Sequence, residues 1–116
     1  MRNPDNLRVY RMAVDLNDAL ADYHPHSKSP LYEAQRSAGS IEDNINEGCL
    51  RESEKEFLNH INYARASARE ASGQLRRCGR NGQLPSTLAA SLQDHAQHIL
   101  ACLIKLHRFN RERLGG

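Results

Sequence analysis

A line of polar side chains at helical spacing runs through the stretch LYEAQRSAGSIEDNINEGCLR, with steps of four, four and three: Arg36, Ser40, Asn44 and Glu47. Gly48 and Arg51 follow shortly after it. A guanidinium and an amide near a carboxylate can bind an anion or the backbone of a partner. The alternative, which we favour, is an internal hydrogen-bond network that fixes the helix register, because buried polar groups need partners.

A row of basic side chains is the second candidate site. Lys55, Arg69 and Arg76 share one heptad position, and three further arginines lie a turn away or directly beside them: Arg65, Arg77 and Arg80. Such a row can neutralise phosphates, whereas the alternative is an ordinary solvated face in which Glu56 and Glu70 dilute the charge. Interleaved aromatic residues, which are typical of single-strand binding, are missing. We therefore expect any binding to be directed at the nucleic-acid backbone and to be sensitive to salt.

Metal and catalytic chemistry have little support. Of the six histidines, only His95 and His98 share a helix face, and two ligands do not make a structural metal site. His95 falls on an apolar seam, so we expect a satisfied interior side chain. The sequence has no Ser/His/Asp order with an elbow motif and no Gly-rich phosphate loop. We predict no metal, no cofactor and no enzymatic activity, and a salt bridge to Arg51 explains Glu47 better than acid or base catalysis.

Length and composition predict one small domain, since 116 residues can bury a core of Leu, Ile, Val and Ala. The net charge is +2, but the first 50 residues hold five Lys and Arg against eight Asp and Glu, whereas the rest hold eleven against six. Three cysteines without CxxC spacing argue against disulfides and zinc. With no leader-like or membrane-spanning apolar run, we expect a cytoplasmic protein without a membrane partner.

Four amphipathic helices must position these residues, at roughly 5–23, 30–47, 54–78 and 87–109. Asn3, Ser29 and Ser53 are the expected N-caps, and Gly48 is expected to end the second helix as a left-handed residue. Short connections between amphipathic helices predict an all-α, antiparallel up-down-up-down four-helix bundle.

The last predicted helix has an apolar arc too wide for a single seam. Beside its main column lies a second set of apolar residues, which we assign to contacts between copies of the chain: Ala89, Ala96, Leu100 and Leu103. A second apolar face in a small bundle is often covered by another subunit, so we predict self-association.

The segment QRSAGSIEDNINEGCLRESEKEFLNHINYARAS resembles a family of small bacterial proteins associated with intervening sequences in 23S ribosomal RNA genes. The matching features are Q-R-x-A around Arg36, Ser40 with Ile41, the N-I-x-E-G run that ends at Gly48, and Arg51. The accessory variability determinants of diversity-generating retroelements belong to the same family. The resemblance implies a four-helix bundle that assembles into a homopentameric ring and, in the retroelement branch, binds a reverse transcriptase and nucleic acid.

Two functions follow from the residues and the resemblance together. The first is a non-enzymatic accessory protein that binds RNA or DNA and a protein partner, a reverse transcriptase. The alternative is a structural or protein-interaction module of the ribosomal intervening-sequence type that does not bind nucleic acid directly. An adjacent reverse-transcriptase gene with a template repeat would favour the first, and placement inside a ribosomal RNA gene would favour the second.

Overall fold

Four α-helices, each antiparallel to the next, make up the fold. The computed structural model describes residues 2–115, with side chains for residues 2–113. A short 3-10 helix at Pro4–Asn6 precedes the four helices: α1 (Arg8–Leu20), α2 (Pro30–Cys49), α3 (Glu54–Asn81) and α4 (Ser86–Gly115). Both α1 and α3 pack against α2 and α4, so the helices form a closed ring of neighbours about 48 Å long. The predicted all-α, up-down-up-down four-helix bundle is confirmed.

The core follows the apolar spacing of the sequence most closely along α3. Seven residues at alternating steps of four and three are fully buried: Phe57, Ile61, Ala64, Ala68, Ala71, Leu75 and Cys78. The three alanines keep α3 slim on this face, so its neighbours can approach closely. Near the end of α3 the approach is very close, because a Cβ built on Gly79 would lie 2.9 Å from the Ala89 Cβ of α4.

Side-chain caps start α2 and α3 where the sequence predicts, whereas Asn3 caps the separate turn at Pro4–Asn6 and α1 begins after Leu7 without a side-chain cap. The Asn3 side chain accepts a hydrogen bond from the Asp5 amide at 3.0 Å. The Ser29 hydroxyl accepts one from the Tyr32 amide at 3.2 Å, and the Ser53 hydroxyl accepts one from the Glu56 amide at 3.1 Å. Each cap satisfies a backbone N–H that has no partner inside its helix.

The first helix is shorter than predicted. Leu7 has an extended backbone, with φ −99° and ψ 118°, so the turn at Pro4–Asn6 is separated from α1. At the other end α1 stops at Leu20, and Tyr23 follows it as a half-buried residue outside the helix. In contrast, α4 runs past the predicted limit at residue 109, because Arg, Glu and Leu in the basic tail are good helix formers.

Gly48 does not end α2, and the prediction of a left-handed residue there is wrong. Within residues 2–115 a positive φ occurs only at Lys28 and Gly82. The helix continues through Cys49, whereas a Cβ on Gly48 would lie 3.0 Å from the His60 Cβ. Glycine is needed at position 48 because α2 and α3 approach closely there.

Arg2 ties three parts of the bundle together. Its backbone N–H donates to the Cys49 carbonyl at 2.8 Å, and its Nη2 donates to both carboxylate oxygens of Glu54, at 2.5 and 2.6 Å. The same nitrogen lies 3.3 Å from Asn110 Oδ1, and the guanidinium stacks 3.7 Å above the Phe57 ring. One side chain therefore joins the start of the chain to the α2–α3 joint and to α4.

The α1–α4 contact includes His95, which is satisfied as expected, because its Nε2 donates to the Met12 carbonyl at 2.8 Å. Over the part of the chain that the structure describes, no helix has the length and apolar character needed to cross a membrane.

Candidate nucleic-acid interface

Four arginines lie in one line along α3. Arg65, Arg69, Arg76 and Arg80 are separated by steps of four, seven and four, which bring residues to the same side of a helix. Arg65 lines a cleft together with residues of α4, so this line lies on the shoulder of α3 that faces α4. The other three side chains are exposed. We call these four residues the basic row.

Glu56 and Glu70, the two acids of α3 that were expected to dilute the basic row, face away from it, and the third acid, Glu54, is paired with Arg2. Glu70 faces α2, where its Oε2 accepts a hydrogen bond from the Ser37 hydroxyl at 3.4 Å. Glu56 faces the α2–α3 joint, with its Oε2 3.9 Å from Arg51 Nη1. In the described part of the chain, no carboxylate lies within 4.0 Å of any arginine of the basic row. The expected dilution of the charge is therefore absent on the side that faces α4.

Lys55 and Arg77 are the two remaining basic residues predicted for this face, and both are exposed. Lys55 lies about 40° around the helix from Arg69, so it extends the basic row toward the start of α3. Arg77 lies about 100° from Arg76 and points further from α4. The structure therefore brings five of the six predicted residues to one side of α3, with Arg77 at its edge.

Basic residues of α4 complete this surface, and the sequence interpretation missed them. Ile104, His107, Arg108 and Arg111 line a cleft of about 100 Å³ together with Arg65. Burial, reinforced by Arg65 and Arg111, lowers the pKa of His107 below its ordinary value of 6.5. The signal in the sequence is the basic segment RFNRERL, most of which lies beyond the end predicted for the fourth helix at residue 109 but continues α4. Pairing it with Arg65 also requires knowing which turns of α3 and α4 meet.

The polar line of α2 is mostly an internal network. The hydroxyls of Ser40 and Ser67 lie 2.8 Å apart, which joins α2 to α3. Asn44 Nδ2 donates to the Ser40 carbonyl at 2.9 Å and to its hydroxyl at 3.1 Å, while Asn44 Oδ1 accepts from His60 Nδ1 at 3.3 Å. This geometry supports the interpretation that these residues fix the register of the two helices.

The other members of the polar line have local partners. Arg36 is largely exposed and lies 3.3 Å from Glu33 on the preceding turn. Arg51 Nη2 donates to Glu47 Oε1 at 2.6 Å, a contact that spans the end of α2. Arg36 is therefore a surface residue outside the network, and the pair of Glu47 and Arg51 braces the joint at which Gly48 lets the helices approach.

The residues assigned to contacts between copies are mostly unavailable for that purpose. Ala89, Ala96 and Leu103 are between 0 and 2% exposed and belong to the chain's own core. Leu100 alone is half-buried. The second apolar column of α4 is covered by α1 and α3 within one chain, which corrects the assignment of these residues.

Phe109, at 60% exposure, is the most exposed large apolar side chain of α4 in the described region. Self-association itself stays a prediction.

Cysteine and metal-ligating residues form no further site within the described residues. Cys49 and Cys78 are buried free thiols, and burial raises the pKa of each. In this part of the chain, no group of three or more His, Cys, Asp or Glu residues converges so that it could hold a metal ion.

The fold and the site together define a small four-helix bundle with a basic shoulder between two of its helices. Residues 5–105 match the family model described as 23S rRNA-intervening sequence protein. The chain belongs to this family, as its resemblance in α2 and α3 predicted. No curated protein matches the sequence.

Proposed function

We propose that this protein is a non-enzymatic accessory protein that binds nucleic acid through the phosphate backbone along the basic row. One observation carries the proposal: four arginines lie in line on α3 with no carboxylate within 4.0 Å in the described region. An ordinary solvated face usually mixes both signs of charge, whereas here Glu56 and Glu70 face away from the basic row and the carboxylate of Glu54 is bound by Arg2. This arrangement suits a polyanion.

The length of the basic row supports several phosphate contacts at once. Arg65 and Arg80 are fifteen residues apart, which on an α-helix is roughly 22 Å. A single strand in helical geometry carries a phosphate about every 3.4 Å along the axis, so the row spans about six phosphates. Arginine suits such contacts because its guanidinium can donate two parallel hydrogen bonds to one phosphate.

The exposed aromatic residue of α3 does not lie beside the basic row, so it cannot stack on the bases of a nucleic acid bound there. Tyr63, the exposed aromatic residue of α3, packs edge-to-face against His60 with ring centroids 5.5 Å apart. His60 contacts Asn44 of α2, so this aromatic pair lies on the α2 side of α3, away from the basic row. Phosphate contacts position a nucleic acid without discriminating its sequence, so we expect weak sequence preference.

A salt series on the purified protein tests the proposal. Labelled single-stranded RNA and duplex DNA are titrated with wild type and with Arg69→Gln/Arg76→Gln, and log Kobs is plotted against log salt. For duplex DNA we expect the variant to reduce the magnitude of the slope by roughly two, because two phosphate contacts are lost. Circular dichroism should show unchanged helicity, since both side chains are exposed.

Arg8→Gln/Arg11→Gln is the matched control. Both arginines are exposed on α1, which packs on α2 and α4 and so lies across the bundle from α3. The control removes the same charge and should leave the slope close to that of wild type. Equal slopes for all three proteins would remove the basic row from consideration, and a wild type that does not bind at low salt would refute the function.

We propose a reverse transcriptase as the protein partner, because the retroelement accessory proteins that the chain resembles bind one. Co-purification of the two proteins, with the Arg69→Gln/Arg76→Gln variant alongside, tests this separately from nucleic-acid binding. The alternative is an interaction module of the ribosomal intervening-sequence type, which the family match favours. That alternative predicts a protein partner and no binding to either nucleic acid.

A further inference from the structure

The cleft between α3 and the end of α4 collects positive charge from both helices. Arg65 reaches it from α3, and Arg108 and Arg111 reach it from successive turns of α4. His107 and Ile104 complete the lining, and no acidic residue takes part. The cleft has a volume of about 100 Å³. Like charges that converge on one small space repel one another, so an anion bound between them would relieve this repulsion.

Arg65 is held so that part of its guanidinium lacks a hydrogen-bond acceptor. Its Nη1 donates to Asn62 Oδ1 on the same helix at 3.0 Å, which fixes the direction of the side chain. Its Nε is buried and has no hydrogen-bond partner among the described residues. A buried donor without a partner costs about 1–3 kcal/mol, so an acceptor brought to Arg65 by a ligand would be favourable.

We propose that this cleft binds one phosphate group, held by Arg65, Arg108 and Arg111. A phosphate offers several acceptor oxygens, which the three guanidinium groups can bind from both helices at once. Arg65 also belongs to the basic row, so the cleft lies at one end of that line of arginines. In the nucleic-acid complex, a backbone phosphate of the bound strand fills the cleft and fixes the strand at that end. This last step rests on the proposed function.

His107 gives the site a sensitivity to pH. The charged groups that face it are Arg65 of α3 and Arg111 of its own helix, and together with burial they lower its pKa. A bound phosphate places negative charge beside the imidazole and so favours its protonated form. Proton binding at His107 and phosphate binding are therefore linked, and the cleft should bind a backbone phosphodiester, whose own charge does not change in this range, more tightly as the pH falls through the pKa of His107.

Nuclear magnetic resonance of the histidine side chains tests the site with inorganic phosphate alone. We titrate wild-type protein with phosphate at constant ionic strength and follow the His107 ring signals, with His98 as the internal control. His98 lies on the same helix, exposed and 3.4 Å from Asp94. We expect a saturable change at His107 only, and a rise of its pKa by roughly one unit when phosphate is in excess. A matched addition of sodium chloride should produce neither effect.

Arg65→Gln and Arg111→Gln are two independent variants of the cleft. Arg111 is exposed, so its replacement should not disturb folding even if Arg65→Gln does. Each folded variant should lose the saturable response at His107, whereas Arg8→Gln on α1 should keep it. A response that is unchanged in both variants, or is equal at His98, would overturn the proposed site.

The outcome separates the site from the proposed function. If labelled RNA and DNA bind with the expected salt slope but phosphate leaves His107 unchanged, the cleft is not a phosphate site and the function stands. If phosphate acts on His107 in wild type and is lost in the variants, while neither nucleic acid binds, the cleft accepts free phosphate and the proposed function is refuted.

Discussion

The close contact between α3 and α4 predicts opposite effects for the same substitution at two glycines of α3. Gly73 and Gly79 are six residues apart in one helix. A Cβ added at Gly73 meets no heavy atom within 4 Å outside its own turn, whereas one added at Gly79 would lie 2.9 Å from the Ala89 Cβ. Carbon atoms pack best about 3.5–4.0 Å apart, so only the second substitution overcrowds its surroundings.

The magnitudes follow from two opposing contributions. Replacing glycine by alanine inside a helix stabilises it by about 0.5–1 kcal/mol, and this contribution applies at both positions. Overpacking between α3 and α4 costs typically about 1–3 kcal/mol, and this contribution applies only at Gly79. Gly73→Ala should therefore raise the free energy of unfolding, and Gly79→Ala should lie about 1–3 kcal/mol below Gly73→Ala.

Urea unfolding of the two variants beside wild type measures the difference. Thermal melts should agree, since 1 kcal/mol corresponds to roughly 3–6 °C in a chain of this size. The double variant Gly79→Ala/Ala89→Gly removes the obstructing Cβ and should recover part of the loss, which gives a coupling energy between the two positions. If Gly79→Ala stabilises as much as Gly73→Ala, α3 and α4 do not approach as closely as described and this reasoning is wrong.

Three further predictions concern single side chains. Arg2→Ala should lower the free energy of unfolding by about 1–2 kcal/mol, because it removes the partly screened, charge-assisted hydrogen bonds to Glu54. A urea midpoint equal to that of wild type would contradict this prediction. Asn44→Ala should cost about 1–2 kcal/mol in the same assay because His60 loses its partner, whereas the exposed Arg36→Ala should change stability by less than about 0.5 kcal/mol. The pKa of His107 is lower in the folded chain than the unfolded value of 6.5, so the unfolded chain binds the extra proton first and stability falls as pH drops below 6.5. His107→Gln should flatten this part of a plot of melting temperature against pH, and a plot as steep as that of wild type would refute the assignment.

The four helices, and the starts of α2, α3 and α4, could be predicted because the signals are local. Ser29 and Ser53 are caps that act within one turn, and the apolar steps of α3 specify its buried face without reference to the rest of the chain. The basic row could also be predicted in outline, because it belongs to a single helix. The absence of acidic residues beside the basic row could not be predicted, because the direction in which Glu70 points depends on where α2 packs.

Features that depend on contacts between distant helices were predicted incorrectly or missed. Gly48 has an ordinary helical backbone. Glycine is required at this position because a side chain there would come too close to His60 on the next helix. Ala89 and its column on α4 are as apolar as a subunit interface would be, yet they fill the space beside α3. The cleft between α3 and α4 joins Arg65 to Arg108 and Arg111, which are more than forty positions later, so only the pairing of the two helices reveals it.

The Gly79 contact also bears on how the basic row would meet its ligand. Because α3 is a continuous helix of 28 residues held firmly against α4, the spacing of its arginines is set before any strand arrives. Binding then orders side chains but no backbone, which limits the conformational entropy lost to at most about 2 kcal/mol for each arginine engaged. The basic row therefore has a fixed length that matches about six phosphates. Strands shorter than about six nucleotides should bind progressively more weakly, because each missing phosphate leaves an arginine at one end of the row without a contact.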